Sequence, residues 1–158
     1  MILTDFPFEF FCDSALFSEK WTELLSGLSG RRIVNIFGAW DDLDKEWFDD
    51  APMLIEFAHG TLAVNVRSEK YLALAWNEIF PTEKPRWFGE AHPIPDWREN
   101  LYWREYLPLS QFKCAEILRV EAIEGENALN GLRFETDKGG FSIFDNGDVI
   151  AGIPSIKT

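Results

Sequence analysis

Apolar and polar residues alternate along most of this 158-residue chain, and only near the N-terminus do apolar residues recur at helical spacing. Phe17, Trp21, Leu24, Leu25 and Leu28 share one face of a helix predicted over about 15–26, with Asp13 or Ser14 as cap and Gly27 near its end. Ile33–Phe37 reads as a strand with Val34 and Ile36 on one side and Ile33, Asn35 and Phe37 on the other. Met53, Ile55 and Phe57 form a second alternating set. His59-Gly60 then turns the chain into Thr61–Val66, where Leu62 and Val64 share a face.

Tyr71–Trp76 is almost continuously apolar; its length and context favour a central strand over a short helix. Five prolines between 81 and 108 exclude long regular elements there, leaving room for a short helix near 97–105. Alternation returns from Ala115 to Ile123. A hairpin follows, Leu132–Thr136 to Phe141–Phe144, reversing at Asp137-Lys138-Gly139-Gly140, and Asn146-Gly147 offers another tight turn. The expected fold class is α+β: one domain over 1–158, mostly antiparallel sheet with one or two covering helices.

Parts of the chain echo each other at an offset near eighty residues. Trp21-Thr22-Glu23-Leu24-Leu25 resembles Trp103-Arg104-Glu105-Tyr106-Leu107, and the runs Ile33–Ile36 and Ile117–Val120 follow at similar distances. Leu54–Phe57 with Gly60 then parallels Leu132–Glu135 with Gly139. Either a helix-plus-strands unit has been duplicated, with halves 15–80 and 98–152, or two meanders are alike by chance.

Composition narrows the classes. Aromatic residues make up 15% of the chain and hydrophobic ones 46%, enough apolar surface to offset chain entropy. No apolar run approaches the roughly 20 residues that span a bilayer. The start MILTDFPFEF lacks a basic region and a small-residue cleavage site, so a cytoplasmic, membrane-free protein is expected. Cys12 and Cys114 lack metal-type spacing and read as two reduced core residues rather than a disulfide.

The net charge is −12. Residues 1–79 hold fourteen acids against six bases, and residues 80–158 thirteen against nine, so the first half carries the stronger field. Scattered bases in an acidic chain argue against direct nucleic-acid binding, which needs clustered Lys and Arg. Arg and Trp do interleave between Trp87 and Tyr106, but balancing carboxylates make a packed loop or a second partner-contacting edge the better reading than base stacking.

Catalytic and cofactor patterns are missing. His59 and His92 have no second ligand at zinc spacing, and neither a nucleophile elbow nor a glycine-rich phosphate loop occurs. Asp42, Asp44 and Glu46 match the first three ligand positions of an EF-hand. Trp47 stands where that loop needs glycine, however, and Met53 where it needs glutamate. We therefore expect no catalytic residues, no metal and no cofactor.

What remains is the segment Asp41–Asp50. Six carboxylates (Asp41, Asp42, Asp44, Glu46, Asp49 and Asp50) surround Trp47 and Phe48. The segment is either a solvating loop, a loop whose two rings tuck into the core as a tether, or a binding surface, and two large rings would be wasteful in a loop that only solvates. Rings that anchor within charges that steer suit a cationic protein partner. A small-molecule-binding or enzymatic domain with an aromatic-lined pocket is the alternative use of so many rings.

The runs Gly30-Arg31-Arg32-Ile33-Val34-Asn35-Ile36, Leu54-Ile55-Glu56-Phe57 with Gly60-Thr61-Leu62, and Tyr71–Ile79 resemble the small acidic immunity proteins of bacterial polymorphic and contact-dependent inhibition toxins. Gly131-Leu132-Arg133-Phe134-Glu135 is similar to a hairpin of the same type. The resemblance covers about two-thirds of the chain through strand-and-turn patterns. It implies a cytosolic protein that binds one cognate toxin, often a basic nuclease, and blocks its active site or entry.

Overall fold

The computed structural model describes residues 9–11, 19–48, 51–67, 71–83, 100–124, 129–145 and 150–155. The predicted alternation becomes two antiparallel sheets. In the larger, β1 (Glu9–Phe11), β6 (Tyr71–Trp76), β5 (Gly60–Arg67), β4 (Met53–Phe57) and β2 (Ile33–Asp41) lie side by side in that order. The short β3 (Glu46–Trp47) and β7 (Leu101–Glu105) also pair with β2. Because β7 runs along Phe37–Asp41, β3 and β4 share the opposite edge of β2. The smaller sheet is a meander of β8 (Ile117–Glu124), β9 (Leu129–Thr136), β10 (Gly139–Asp145) and β11 (Ile150–Ser155). The fold is α+β and dominated by antiparallel sheet, as expected.

The sheets pack on each other through β5 and β6 on one side and β9 and β10 on the other. Between them lies the main core, in which Ile55, Leu62, Val64, Leu72 and Leu74 meet Leu132, Phe134, Phe141 and Ile143. The helix α1 (Glu19–Ser26) closes one side with Trp21 and Leu25, and Leu28 follows them inward. The chain then threads between the sheets. The Gly30 N–H donates to the Ile117 carbonyl, the Ile117 N–H to Arg31, and the Ile33 N–H to Ala115. β6 is central, as its unbroken apolar run predicts. Leu72 and Leu74 enter the main core, while Ala73 and Ala75 join Leu54, Ala63, Ala39, Leu101 and Trp103 in a second cluster on the other face.

Four expectations need correction. Val34 and Ile36 do not share a face. The β2–β4 ladder slips between Ile33 and Asn35, and the Asn35 side chain accepts the Ile36 N–H at 2.8 Å. This bulge turns Ile33 and Ile36 into the core together and leaves Val34 42% exposed. The segment near 97–105 holds a strand, β7, where a short helix was expected, because β2 offers Phe37–Asp41 as an unpaired edge for Leu101–Glu105. For the same reason the Trp21 and Trp103 runs are not equivalent units, one being helix and the other strand. Lastly, Cys114 is exposed rather than a core residue. It occupies a turn at φ 69° in which its N–H donates to Ile33 and its side chain points to solvent. Cys12, the cap residues Asp13 and Ser14, His92, Trp97 and Asn146-Gly147 lie outside the described residues.

No helix among the described residues is long and apolar enough to cross a membrane.

Candidate functional site

β2 is longer than the core it serves. Its face that carries Ile36 into the main core continues outward through Gly38 and Trp40. Strand pairing brings the rest of the site to that face. Trp47 lies directly opposite Trp40 on β3, Tyr102 opposite Trp40 on β7, and Arg104 opposite Gly38. Leu101 and Trp103 alternate to the other face and are buried there.

The result is a row of rings. Trp47 meets Trp40 edge-on with centroids 5.1 Å apart, and meets Tyr106 at 4.8 Å. Gly38 makes the row close-packed. A Cβ there would lie 3.1 Å from Tyr106 and 3.2 Å from Trp47. The Arg104 guanidinium carbon stands 4.4 Å from the Trp40 ring centre. Trp40 and Trp47 are half-buried and Tyr102 is 40% exposed. Among the described residues, five large hydrophobic side chains are exposed. Three of them border this face: Tyr102, Leu43 (71%) at the β2–β3 turn, and Leu107 (58%), which follows Tyr106. An apolar surface gathered in this way marks a contact site more than scattered exposure does.

The acidic residues divide by role. Asp41 is half-buried, and its Oδ1 accepts the N–H groups of Leu43 and Asp44, so this carboxylate builds the turn. Asp42 accepts a 2.6 Å hydrogen bond from Lys45, which adopts φ 56° to close the four-residue turn 42–45. That hydrogen bond and the Lys45 charge hold the Asp42 carboxyl below its ordinary value, with smaller contributions from the Trp40 indole and Arg104. Asp44 and Glu46 are exposed, and no cation among the described residues pairs with them. Asp49 and Asp50 lie outside the described residues.

Trp47 and Phe48 diverge as neighbours on an extended chain should. Trp47 joins the ring row, whereas Phe48 is half-buried against the second cluster and anchors the segment through its N–H to the Ala39 carbonyl at 2.8 Å. Between them, Gly38, Tyr106 and Pro52 enclose a recess of about 20 Å3. That holds roughly one water molecule and is far below the ~300–1,000 Å3 of a small-molecule site.

The sequence pattern singles out the segment 41–50 but shows neither its hairpin pairing nor Trp40, Tyr102, Arg104 and Tyr106 as its neighbours. The available signal was the strand-like alternation of Leu101, Trp103 and Glu105 with Tyr102 and Arg104. The surrounding prolines obscured it.

Of the two histidines, His59 stands apart from this face. It is exposed at the β4–β5 turn with its ring 5.0 Å from Trp76 and 5.8 Å from Phe57. Partial burial, and then the Arg31 charge, lower its pKa from the ordinary value.

No protein-family model, curated protein or solved structure matches the chain.

Proposed function

We propose that the chain is an immunity-type protein that binds and neutralises a cognate basic toxin, of nuclease type, in the cytoplasm. The contact surface is the outer face of β2, β3 and β7. One observation carries this reading: a half-buried row of aromatic rings lies on the same hairpin as Asp44 and Glu46, two exposed carboxylates with which no cation of the described residues pairs. Rings in that position supply contact area, and fixed negative charge attracts the lysines and arginines with which a nuclease holds phosphate. Complementary charge of this kind raises association rates by roughly 10–10³ at low salt.

The test begins at the gene immediately upstream, which on this reading encodes a large secreted protein with a basic C-terminal domain; that domain is then co-expressed with this chain. The expected result is that growth arrest by that domain is relieved by this chain, and relieved less by the Asp44→Asn/Glu46→Gln variant. Arrest that persists with the wild-type chain present, or rescue that is indifferent to the variant, would refute the proposal or this surface respectively.

A further inference from the structure

We propose that the exposed face of Trp40 is a seat for a guanidinium group, occupied in the free chain by its own Arg104 and in the complex by an arginine of the partner. This deepens the binding function proposed above and rests on it. The seat is fixed while its occupant is loosely held. Trp40 is locked by its place in β2, by the edge-on contact with Trp47 and by the packing of Trp47 on Tyr106. Arg104 is exposed on β7, and among the described residues no carboxylate forms an ion pair with it. Its holds on the site are the ring contact and a longer-range attraction to Asp42, both weak at an exposed position.

The chemistry favours arginine over lysine. A planar, weakly hydrated guanidinium stacks flat on an indole and keeps its edge N–H groups free for carboxylates. Asp42 of the β2–β3 turn, whose carboxylate interacts with the Trp40 indole and feels the Arg104 charge, supplies an acceptor at the rim. An incoming arginine that displaces Arg104 keeps the ring contact and adds charge complementarity with a chain of net charge −12. Arg104 thus acts as a built-in competitor, and removing it opens the site.

The experiment uses a tetra-arginine peptide as probe, titrated at low salt into the wild-type chain while the indole N–H resonances of the tryptophans are followed. Arg104→Ala is compared with Lys45→Ala, which removes the same charge from the neighbouring β2–β3 turn and leaves the Trp40 face covered. We expect Arg104→Ala to tighten binding several-fold more than Lys45→Ala, with the Trp40 resonance moving most. Adding Trp40→Leu to Arg104→Ala should abolish that gain. Arg104→Ala binding no tighter than Lys45→Ala, or a gain that survives Trp40→Leu, would overturn the seat while leaving the cationic-partner reading intact. Tetra-arginine that binds none of these proteins would overturn both. Should Trp40→Leu fail to fold, the comparison of the two alanine variants still decides.

Discussion

Two hairpins in this molecule are built alike and used differently. β9–β10 reverses at Asp137-Lys138 and sets Phe134 directly opposite Phe141, rings stacked with centroids 4.8 Å apart. β2–β3 reverses through Asp42–Lys45 and sets Trp40 directly opposite Trp47 at 5.1 Å. In both, a short polar turn holds a cross-strand aromatic pair. The phenylalanines are fully buried between the sheets, while the tryptophans stay half-buried on a hairpin whose Asp44 and Glu46 pair with no cation of the described residues. A buried pair is explained by the stability it supplies. A half-buried pair of the costliest apolar residues is not, and the difference between the hairpins is the reason to assign function to one of them.

The contrast can be broken most forcefully in the core. Phe134→Ala removes a side chain packed against Phe141 and should cost about 3–5 kcal/mol in denaturant unfolding, with cell rescue lost only as the fold is lost. Trp40→Leu should cost about 1 kcal/mol by the same measurement, yet weaken partner binding strongly. If both substitutions cost the same stability, the two pairs are equivalent structural elements and the functional distinction fails.

Glycines sharpen the comparison at the next level. At Gly131 a Cβ would meet the Ile143 carbonyl oxygen at 2.0 Å, against backbone that cannot move aside. Gly131→Ala should therefore destabilise by about 1–3 kcal/mol in thermal or chemical unfolding. Gly38→Ala meets only ring edges that solvent allows to shift. Its expected signature is a smaller stability loss with a measurable drop in affinity, because Trp47 and Tyr106 are pushed apart.

Much of this contrast was legible in the sequence, and the part that was not has identifiable causes. The β9–β10 hairpin declares itself by strict alternation around a Gly-containing turn. The β4–β5 hairpin does the same around His59-Gly60. Failures occurred where a residue's partner is remote in sequence. The bulge at Asn35 depends on β4, and the extended state of Leu101–Glu105 depends on the free edge of β2. Local propensity encodes neither. The acidic hairpin was found because six carboxylates around two rings form a local pattern. The rest of its ring row was hidden because Tyr102, Arg104 and Tyr106 reach it only through long-range pairing.

The smallest effects concern charge. Asp41→Asn weakens an acceptor that organises the turn and should cost about 1 kcal/mol. Asp44→Asn/Glu46→Gln should leave stability within about 0.5 kcal/mol. For Asp42 the folded-state pKa is lowered, so its contribution to stability is present above the ordinary carboxylate value of 3.8 and lost as pH falls through the folded value. Asp42→Asn should flatten that acid-side slope. His59 is likewise lowered, from 6.5, so neutral imidazole favours the fold and acidification below that pH weakens it slightly. His59→Gln should remove this small dependence in unfolding measured between about pH 5 and 7.

The most direct measurement is the association rate with the basic toxin domain that this reading expects the upstream gene to encode, as a function of ionic strength, for the wild-type chain and for Asp44→Asn/Glu46→Gln. A steep fall with added salt that the double variant reduces is the expected result. A rate independent of salt, or the same salt slope in both proteins, would contradict the claim that this ring face and the carboxylates Asp44 and Glu46 recruit a cationic partner.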